Sequence, residues 1–217
     1  MTLTQITFVF LGLMAVIVAA MVIHGLIDKR RIRKRFEKIA HTLSGTLEQG
    51  NPFVYPRLSG ELQGRRCQVF FQVVKAGRRH ILYMIYSMPI RLGFSVLLLK
   101  EKFFRPSEDE ALLTEVSGPV LPKMDSRYLI RSKEEAASVT LFDRAGLPAC
   151  LTPLEDFTSV LIGPDSIVIG KPYEGLPDAD PDRMGKNLSS LRQMAAAVER
   201  ASLSPKAEFN GGSACRQ

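Results

Sequence analysis

The sequence predicts an α+β protein in which an N-terminal transmembrane helix is followed by a mostly antiparallel sheet with helices packed on one face. Residues 1–27 contain no Asp, Glu, Lys or Arg, and seven basic residues follow within ten positions. Beyond them, strand-like runs are followed by helix-like segments, a pattern typical of α+β folds. We therefore divide the chain into a transmembrane anchor (1–28), a basic juxtamembrane helix (29–44), a cytosolic α+β domain (45–203) and a disordered tail (204–217).

The first element is the apolar run from Ile6 to Ile27, ITFVFLGLMAVIVAAMVIHGLI. Its 22 residues suffice to cross a bilayer core, which requires about 20 helical residues. A cleaved signal peptide would have a basic start, a shorter apolar core and a small-residue cleavage site. His24, the ionisable side chain within the run, lies one turn from its end and can reach the headgroups. We interpret the run as a membrane span that is retained.

The second element is the basic cluster DKRRIRKRFEK (28–38), which carries seven basic and two acidic residues. Its charge is therefore +5, and the other 206 residues share only +2 of the net +7. A nucleic-acid-binding domain carries its excess charge on its folded body, so we predict no nucleic-acid partner. Basic residues mark the cytoplasmic flank of a span, which predicts an outside N-terminus and a cytoplasmic domain. The residues expected to contact anionic lipid headgroups are Lys29, Arg30, Arg31, Arg33, Lys34, Arg35 and Lys38.

The helix is predicted to continue beyond the membrane and to end before SGTLEQGNP, where Gly and Pro interrupt it. Its cytosolic part carries an apolar stripe of helical period, which is expected to lie either on the domain or along the bilayer surface. The stripe consists of Ile32, Phe36, Ile39, Ala40 and Leu43.

Residues 56–89 are predicted to form three strands, with turns at Gln63-Gly64 and near Ala76-Gly77. Cys67 lies on the apolar face of the second strand and is expected to be a small core residue. HILYMIYSM (80–88) is apolar on both faces, which predicts a central strand that is covered twice.

The later segments alternate between strands and helices. SKEEAASVTLFDRAG (132–146) is predicted as a helix in which Ser132 is the N-cap and Glu135 completes a capping box. The other predicted elements are one or two strands in 92–104, a short helix and loop in 107–125, a strand at 127–130, a turn or short helix after Gly146, a hairpin at 157–171 and a last helix at 184–202.

Two segments resemble ligand loops but lack the residues that such loops require. GPDSIVIGKP (163–172) has six residues between its glycines, where a phosphate-binding Walker loop has four, and Pro172 replaces the hydroxyl residue. We therefore predict a β-hairpin there.

DADPD has the aspartate alternation of a calcium loop at Asp178, Asp180 and Asp182. Arg183 and Ser189 stand where the loop needs a glycine and a bidentate glutamate. The prediction is a solvated turn, with Asp180 or Asp182 capping the last helix.

The sequence offers no recognisable catalytic, cofactor or metal motif. Its three cysteines form no CxxC pair, and neither G-x-S-x-G nor H-E-x-x-H occurs. We therefore predict no catalytic, cofactor-binding or metal-binding residues. The GRR triplets at 64–66 and 77–79 either face headgroups or keep hairpin tips solvated, and the sequence leaves both options open.

A resemblance to known membrane proteins covers residues 45–200 and depends on two segments. These are PRLSGELQGRRCQVFF, with Gly60 and Gly64, and MDSRYLIRSKEEAASVTL. The chain resembles a loosely defined group of bacterial membrane proteins with one N-terminal span and a cytosolic α+β domain of unknown function. The resemblance implies this architecture and a location at the bacterial inner (plasma) membrane, and it transfers no site residue.

Three hypotheses about function follow. The first is a single-pass membrane protein whose cytosolic domain is an accessory or interaction module and not an enzyme. Its partners would be the lipid bilayer, anionic headgroups and, as a further option, another membrane protein. The second is a membrane-tethered domain that binds lipid or another hydrophobic ligand, because the apolar strands could line a pocket. The third is a membrane-tethered enzyme without a recognisable motif.

Overall fold

The structure, a computed structural model, describes residues 3–48, 54–76, 79–100, 120–121 and 127–203. It confirms the α+β class, with an apolar N-terminal helix, an antiparallel eight-stranded sheet and helices packed on the sheet. The helices are α1 (Leu3–Thr42), α2 (Glu135–Arg144), α3 (Leu147–Leu151) and α4 (Pro181–Leu203), with 3₁₀ helices at Thr152–Leu154 and Leu176–Ala179. The strands are β1 (Thr46–Glu48), β2 (Arg57–Leu62), β3 (Arg65–Ala76), β4 (Arg79–Pro89), β5 (Val96–Lys100), β6 (Tyr128–Ser132), β7 (Ser159–Ile162) and β8 (Ser166–Pro172).

The strands follow the order β1-β2-β3-β4-β8-β7-β5-β6. The predicted turn between β2 and β3 is confirmed: Gln63 and Gly64 have φ of 52° and 80°. Positive φ at both central residues is the geometry of a two-residue hairpin loop, which glycine adopts without strain. The predicted hairpin between β7 and β8 is also present, and the Gly163 amide donates to the Ser166 carbonyl at 2.8 Å.

Strand β4 lies between β3 and β8, as its two-sided apolar sequence predicts. Met84, Ile85 and Tyr86 are all buried, although neighbouring side chains of a strand point to opposite faces. The sheet is therefore covered on both faces at this position.

Helix α1 is continuous for 40 residues and contains both the apolar run and the basic cluster. The five residues of its predicted apolar stripe, Ile32 to Leu43, are buried, with exposed fractions between 0 and 7%. Of the two predicted locations, the stripe takes the first and packs on the domain.

The chain forms two compact units. Unit 1 comprises residues 1–88 and 168–189 and contains α1, β1 to β4, most of β8 and the start of α4. Unit 2 comprises residues 89–167 and 190–217 and contains β5 to β7, α2, α3 and the rest of α4. The buried stripe of α1 belongs to unit 1.

The predicted capping box at the start of α2 is wrong. Ser132 pairs with Val96 as the last residue of β6, and α2 begins only at Glu135. The Ser132 hydroxyl donates to the Ser95 carbonyl at 2.7 Å and accepts the Glu134 amide at 3.2 Å. Pairing with β5 keeps the backbone of Ser132 extended. Helix α2 therefore begins two residues later than it would if Ser132 were its N-cap.

Three predictions lie outside the described residues: the short helix and loop in 107–125, apart from Val120 and Leu121, the turn at Gly77, and the tail 204–217. The single strand described in 92–104 is β5.

Candidate membrane-facing site

The N-terminal half of α1 is an exposed apolar surface. Among the described residues it is the one helix long and apolar enough to cross a membrane, with a mean hydropathy of 2.5 in a window that the protein does not bury. Phe10, Val16 and Met21 are 60%, 66% and 69% exposed. Leaving so many large apolar side chains in water is unfavourable by roughly 25 cal/mol per Å². This half of α1 therefore has the properties of a membrane anchor.

The seven basic residues that the sequence assigns to lipid headgroups lie around α1 in two groups. Four are exposed: Arg30, Arg31, Lys34 and Lys38. At 100° per residue these four fall on the helix face opposite the buried stripe. They form the outward basic face of α1.

The other three basic residues contact the protein. Lys29 Nζ lies 5.1 Å from the ring centroid of Tyr55, within the range of a cation–π interaction. Arg35 donates to the carbonyl of Leu176 at 2.5 Å. Arg33 Nε lies 3.3 Å from Glu37 Oε1, one turn along the helix. Lys29 and Arg35 thus join the part of α1 that follows the apolar run to Tyr55 and Leu176 of the same unit.

An aromatic cluster of Phe36, Tyr55, Phe71 and Tyr173 packs beside these contacts. Phe71 is at its centre, with ring centroids 5.7 Å from Phe36, 4.7 Å from Tyr55 and 5.1 Å from Tyr173. Phe36 is fully buried, and the other three rings are partly exposed. Ring pairs at these distances stabilise by about 0.5–1.5 kcal/mol beyond their buried area.

The Asp28 carboxylate, at the end of the apolar run, helps to raise the pKa of both tyrosines of this cluster. Burial and, after it, the Asp28 carboxylate raise the pKa of Tyr55. Burial raises the pKa of Tyr173 to about 12, with smaller contributions from Tyr55, Asp178 and Asp28. Asp28 directly follows the apolar run, and its carboxylate contributes to both shifts.

The far end of α1 is fixed by a close backbone contact. The Glu61 amide donates to the Leu43 carbonyl at 3.0 Å. A Cβ on Gly45 would lie 2.6 Å from the Ser59 carbonyl oxygen, and one on Gly60 would lie 3.0 Å from Leu43 Cβ. Glycine at both positions lets the chain after α1 lie directly on β2.

The turn at Gly64 to Arg66 lies near this far end, because Arg66 pairs with Glu61. Leu43 follows Asp28 by 15 residues, so the two are separated by about 22 Å along the helix. That distance exceeds a Debye length at physiological salt.

Unit 1 contains a buried ion pair that sequence reasoning missed. Lys171 Nζ donates to Asp178 Oδ1, and the two side chains are 5% and 4% exposed. Arg183 lies 3.4 Å from the same oxygen, and the Glu174 amide donates to Asp178 Oδ2 at 2.7 Å. The aspartate alternation in DADPD drew attention to Asp178, but the sequence predicted a solvated turn there, and Asp178 is buried instead.

The neighbouring aspartate behaves as predicted. Asp180 Oδ1 accepts the amides of Asp182 and Arg183 at 3.1 and 3.3 Å, and so caps α4. Among the described residues no group of three or more His, Cys, Asp or Glu is placed to hold a metal ion. The calcium alternative thus has no support in the described part of the chain.

Cys67 is a buried core residue, as predicted, and is 2% exposed. Burial raises the pKa of its thiol to about 11. Its sulfur is therefore a poor nucleophile at neutral pH.

Three clefts in the described residues are lined by mixed polar and apolar groups. The largest of them, about 370 Å³, lies between the end of α1 and the β2–β3 hairpin, with Ser44, Ser59, Glu61, Arg66 and Gln68 in its wall. A second cleft of about 230 Å³ lies along Arg33 and Glu37 of α1, and a third of about 220 Å³ lies in unit 2 beside Pro164. None of these three is an apolar cavity of the kind that encloses an acyl chain.

The fold and this site define an α+β protein whose N-terminal apolar helix is long enough to cross a membrane. No family model matches the chain, and no curated protein matches it. Among solved structures, the chain is similar to the crystal structure of the mycobacterial trehalose monomycolate transport factor A, TtfA. The identity is 11%, the TM-score is 0.55, and the match covers 78% of this chain and 95% of that chain. At this identity the likeness shows a common fold.

Proposed function

We propose that this protein is a single-pass accessory protein of the bacterial inner membrane, whose cytosolic domain is an interaction module and not an enzyme. The continuity of α1 carries the proposal. One half is exposed and apolar, and the other half packs into unit 1 through the stripe from Ile32 to Leu43. A span that continues without a break into a domain core holds that domain at a defined height and rotation.

The seven basic residues that directly follow the span support an outside N-terminus and a cytoplasmic domain. Reporter fusions after residue 45 test this orientation. A reporter that works only in the cytoplasm should be active, and activity of a periplasmic reporter would overturn the orientation.

Distances along α1 refine which basic residues reach anionic lipid. Arg30 and Arg31 lie two and three residues beyond Asp28, about 3–5 Å along the helix, whereas Lys34 and Lys38 lie about 9 and 15 Å along it. The attraction of an anionic surface falls off within a Debye length of about 8–10 Å. Arg30 and Arg31 should therefore contribute most to headgroup binding, and Lys34 and Lys38 remain available to an acidic protein partner.

The buried ion pair supports a structural role better than a catalytic one. Asp178 accepts hydrogen bonds from Lys171 and the Glu174 amide and forms an ion pair with Arg183, so its oxygens are already engaged. Turnover of a substrate that depended on Lys171 would argue for the enzyme hypothesis instead.

A second candidate function is binding of a lipid or another hydrophobic ligand, and the likeness to TtfA favours it. That protein is named as a transport factor for trehalose monomycolate, a lipid. Lipid extraction and mass spectrometry of the purified full-length protein separate the two candidates. A stoichiometric lipid that survives detergent exchange would favour ligand binding, and a lipid-free protein would favour the accessory module.

Affinity purification of the solubilised full-length protein after crosslinking in cells tests the interaction module. The expected result is a membrane protein recovered in fixed proportion and lost when Lys34 and Lys38 are changed to Glu. Lys186→Glu, an exposed charge reversal in α4, is the matched control.

A further inference from the structure

A surface of unit 1 beside the start of the cytosolic helix has the composition of a membrane interface. It consists of the three partly exposed rings of the aromatic cluster, Tyr55, Phe71 and Tyr173, together with Val54 and Val73. The two valines are 61% and 59% exposed. We call these five residues the interfacial patch.

Three contacts place the interfacial patch toward the membrane end of unit 1. At the C-terminal end of α1, the Leu43 carbonyl accepts a hydrogen bond from the Glu61 amide, and Glu61 of β2 pairs with Arg66 of β3. Seven residues nearer the membrane on α1, Phe36 stacks on Phe71 of the same strand. The course of β3 from Arg66 to Phe71 is thus toward the membrane.

Val73 continues in that direction. It lies on the same face of β3 as Phe71, because side chains two residues apart in a strand share a face. Lys29, two residues beyond the end of the apolar run, lies over Tyr55, the neighbour of Val54. The patch therefore faces the region just outside the bilayer core.

The chemistry of the patch fits lipid rather than water. Tyrosine is enriched at the membrane interface because its ring is apolar and its hydroxyl reaches headgroups. Valine exposed beside such rings enlarges the apolar area, and a basic side chain next to them matches an anionic surface.

We propose that the interfacial patch inserts into the headgroup layer of the bilayer that α1 spans, so that unit 1 is bound to the membrane at a second point. This inference depends on the proposed anchoring of α1. The occupant is the phospholipid surface, because the patch is continuous with the emerging span. Insertion would restrict the tilt of unit 1 about the end of the anchor.

The chain lacks tryptophan, which makes a direct test possible. Val73→Trp places a single fluorophore in the patch of the full-length protein. The matched control is Arg66→Trp, an exposed residue of the same strand, seven residues and about 23 Å away. Both variants are reconstituted into vesicles of phosphatidylcholine and phosphatidylglycerol, with and without brominated acyl chains.

We expect brominated lipid to quench the Val73→Trp fluorescence at least roughly twofold and to leave Arg66→Trp nearly unchanged, because interfacial groups insert about 5–10 Å. Quenching should persist in 0.5 M salt, where the Debye length is about 4 Å, because salt screens electrostatic attraction and not apolar insertion. Equal weak quenching of both variants, or loss of the difference in salt, would overturn the inference.

Flotation of the same vesicles after alkaline extraction separates this result from failure of the anchor. If the protein floats but tryptophan at 73 is not quenched, α1 is a membrane span and the interfacial patch does not insert. If the protein does not float, the proposed anchoring itself is wrong.

Discussion

At the scale of single residues, the buried charges of unit 1 are organised around Asp178. Its carboxylate accepts hydrogen bonds from Lys171 and the Glu174 amide and forms an ion pair with Arg183. These interactions join the end of β8 to the start of α4. Burying a charge is unfavourable unless a partner compensates it. The pair therefore constrains which side chains these positions tolerate.

Asp178→Asn should lower the free energy of unfolding by about 3–5 kcal/mol, because it leaves the buried Lys171 ammonium without a counter-ion. Denaturant unfolding of the solubilised protein measures the change. Asp182→Asn, an exposed position in the first turn of α4, is the control and should change stability little. The double change Lys171→Met with Asp178→Leu should recover much of the loss, and equal effects of D178N and D182N would contradict the assignment.

Cys67 should make stability depend on alkaline pH. Burial raises its pKa from 9.0 to about 11, so the fold favours the protonated thiol. This contribution to stability is complete below pH 9 and is lost as pH rises toward about 11. Cys67→Ala should reduce the loss of stability over that range, and an unchanged pH profile would argue against it.

At the scale of elements, the junction between α1 and β2 depends on the absence of side chains. Gly45 and Gly60 allow two backbones to approach more closely than any Cβ permits. Because Leu43 bonds to Glu61 at the same place, this junction determines how the anchor meets the sheet.

Gly45→Ala should destabilise the protein by about 1–3 kcal/mol, since its Cβ would lie 2.6 Å from a backbone oxygen. Gly185→Ala is the matched control. It lies within α4 with no atom within 4 Å of a built Cβ, so it should stabilise by about 1 kcal/mol. Thermal unfolding of both variants measures the two signs, and the same sign for both would refute the close-approach argument.

At the scale of the whole molecule, one unbroken helix, α1, joins the proposed span to the strands of unit 1, and its length sets their separation. Helix α1 is unbroken at the junction of Ile27 and Asp28, where the apolar run ends, and it continues to Thr42. Any change in the number of helical residues at this point should move unit 1 by 1.5 Å per residue.

A seven-residue helical insert between Ile27 and Asp28 should raise unit 1 by about 10 Å and rotate it by only about 20°. In the Val73→Trp protein, quenching by brominated lipid should fall to the level of the Arg66→Trp control. Flotation should be unchanged, because the span is intact. Persistent quenching after the insert would indicate that α1 bends and does not hold unit 1 at a fixed height.

Features that depend on near neighbours in the chain were predictable. The stripe from Ile32 to Leu43 follows the helical period, and the β2–β3 turn depends on Gln63-Gly64. Ser132 failed as a cap because pairing with Val96, distant in sequence, outweighs a local capping preference. Local patterns are reliable where no distant partner competes for the same backbone.

The sequence by itself determined the apolar run, the basic cluster after it, and the succession of described strands and helices from β2 to α4, whereas β1 was not predicted. These follow from hydrophobicity, charge and period, which are properties of neighbouring residues. Only the tertiary structure decided that Lys29 and Arg35 contact unit 1 while Lys34 and Lys38 face outward. It also brought Tyr55, Phe71 and Tyr173 together beside the end of the span, because packing against α1 joins side chains from separate strands and loops.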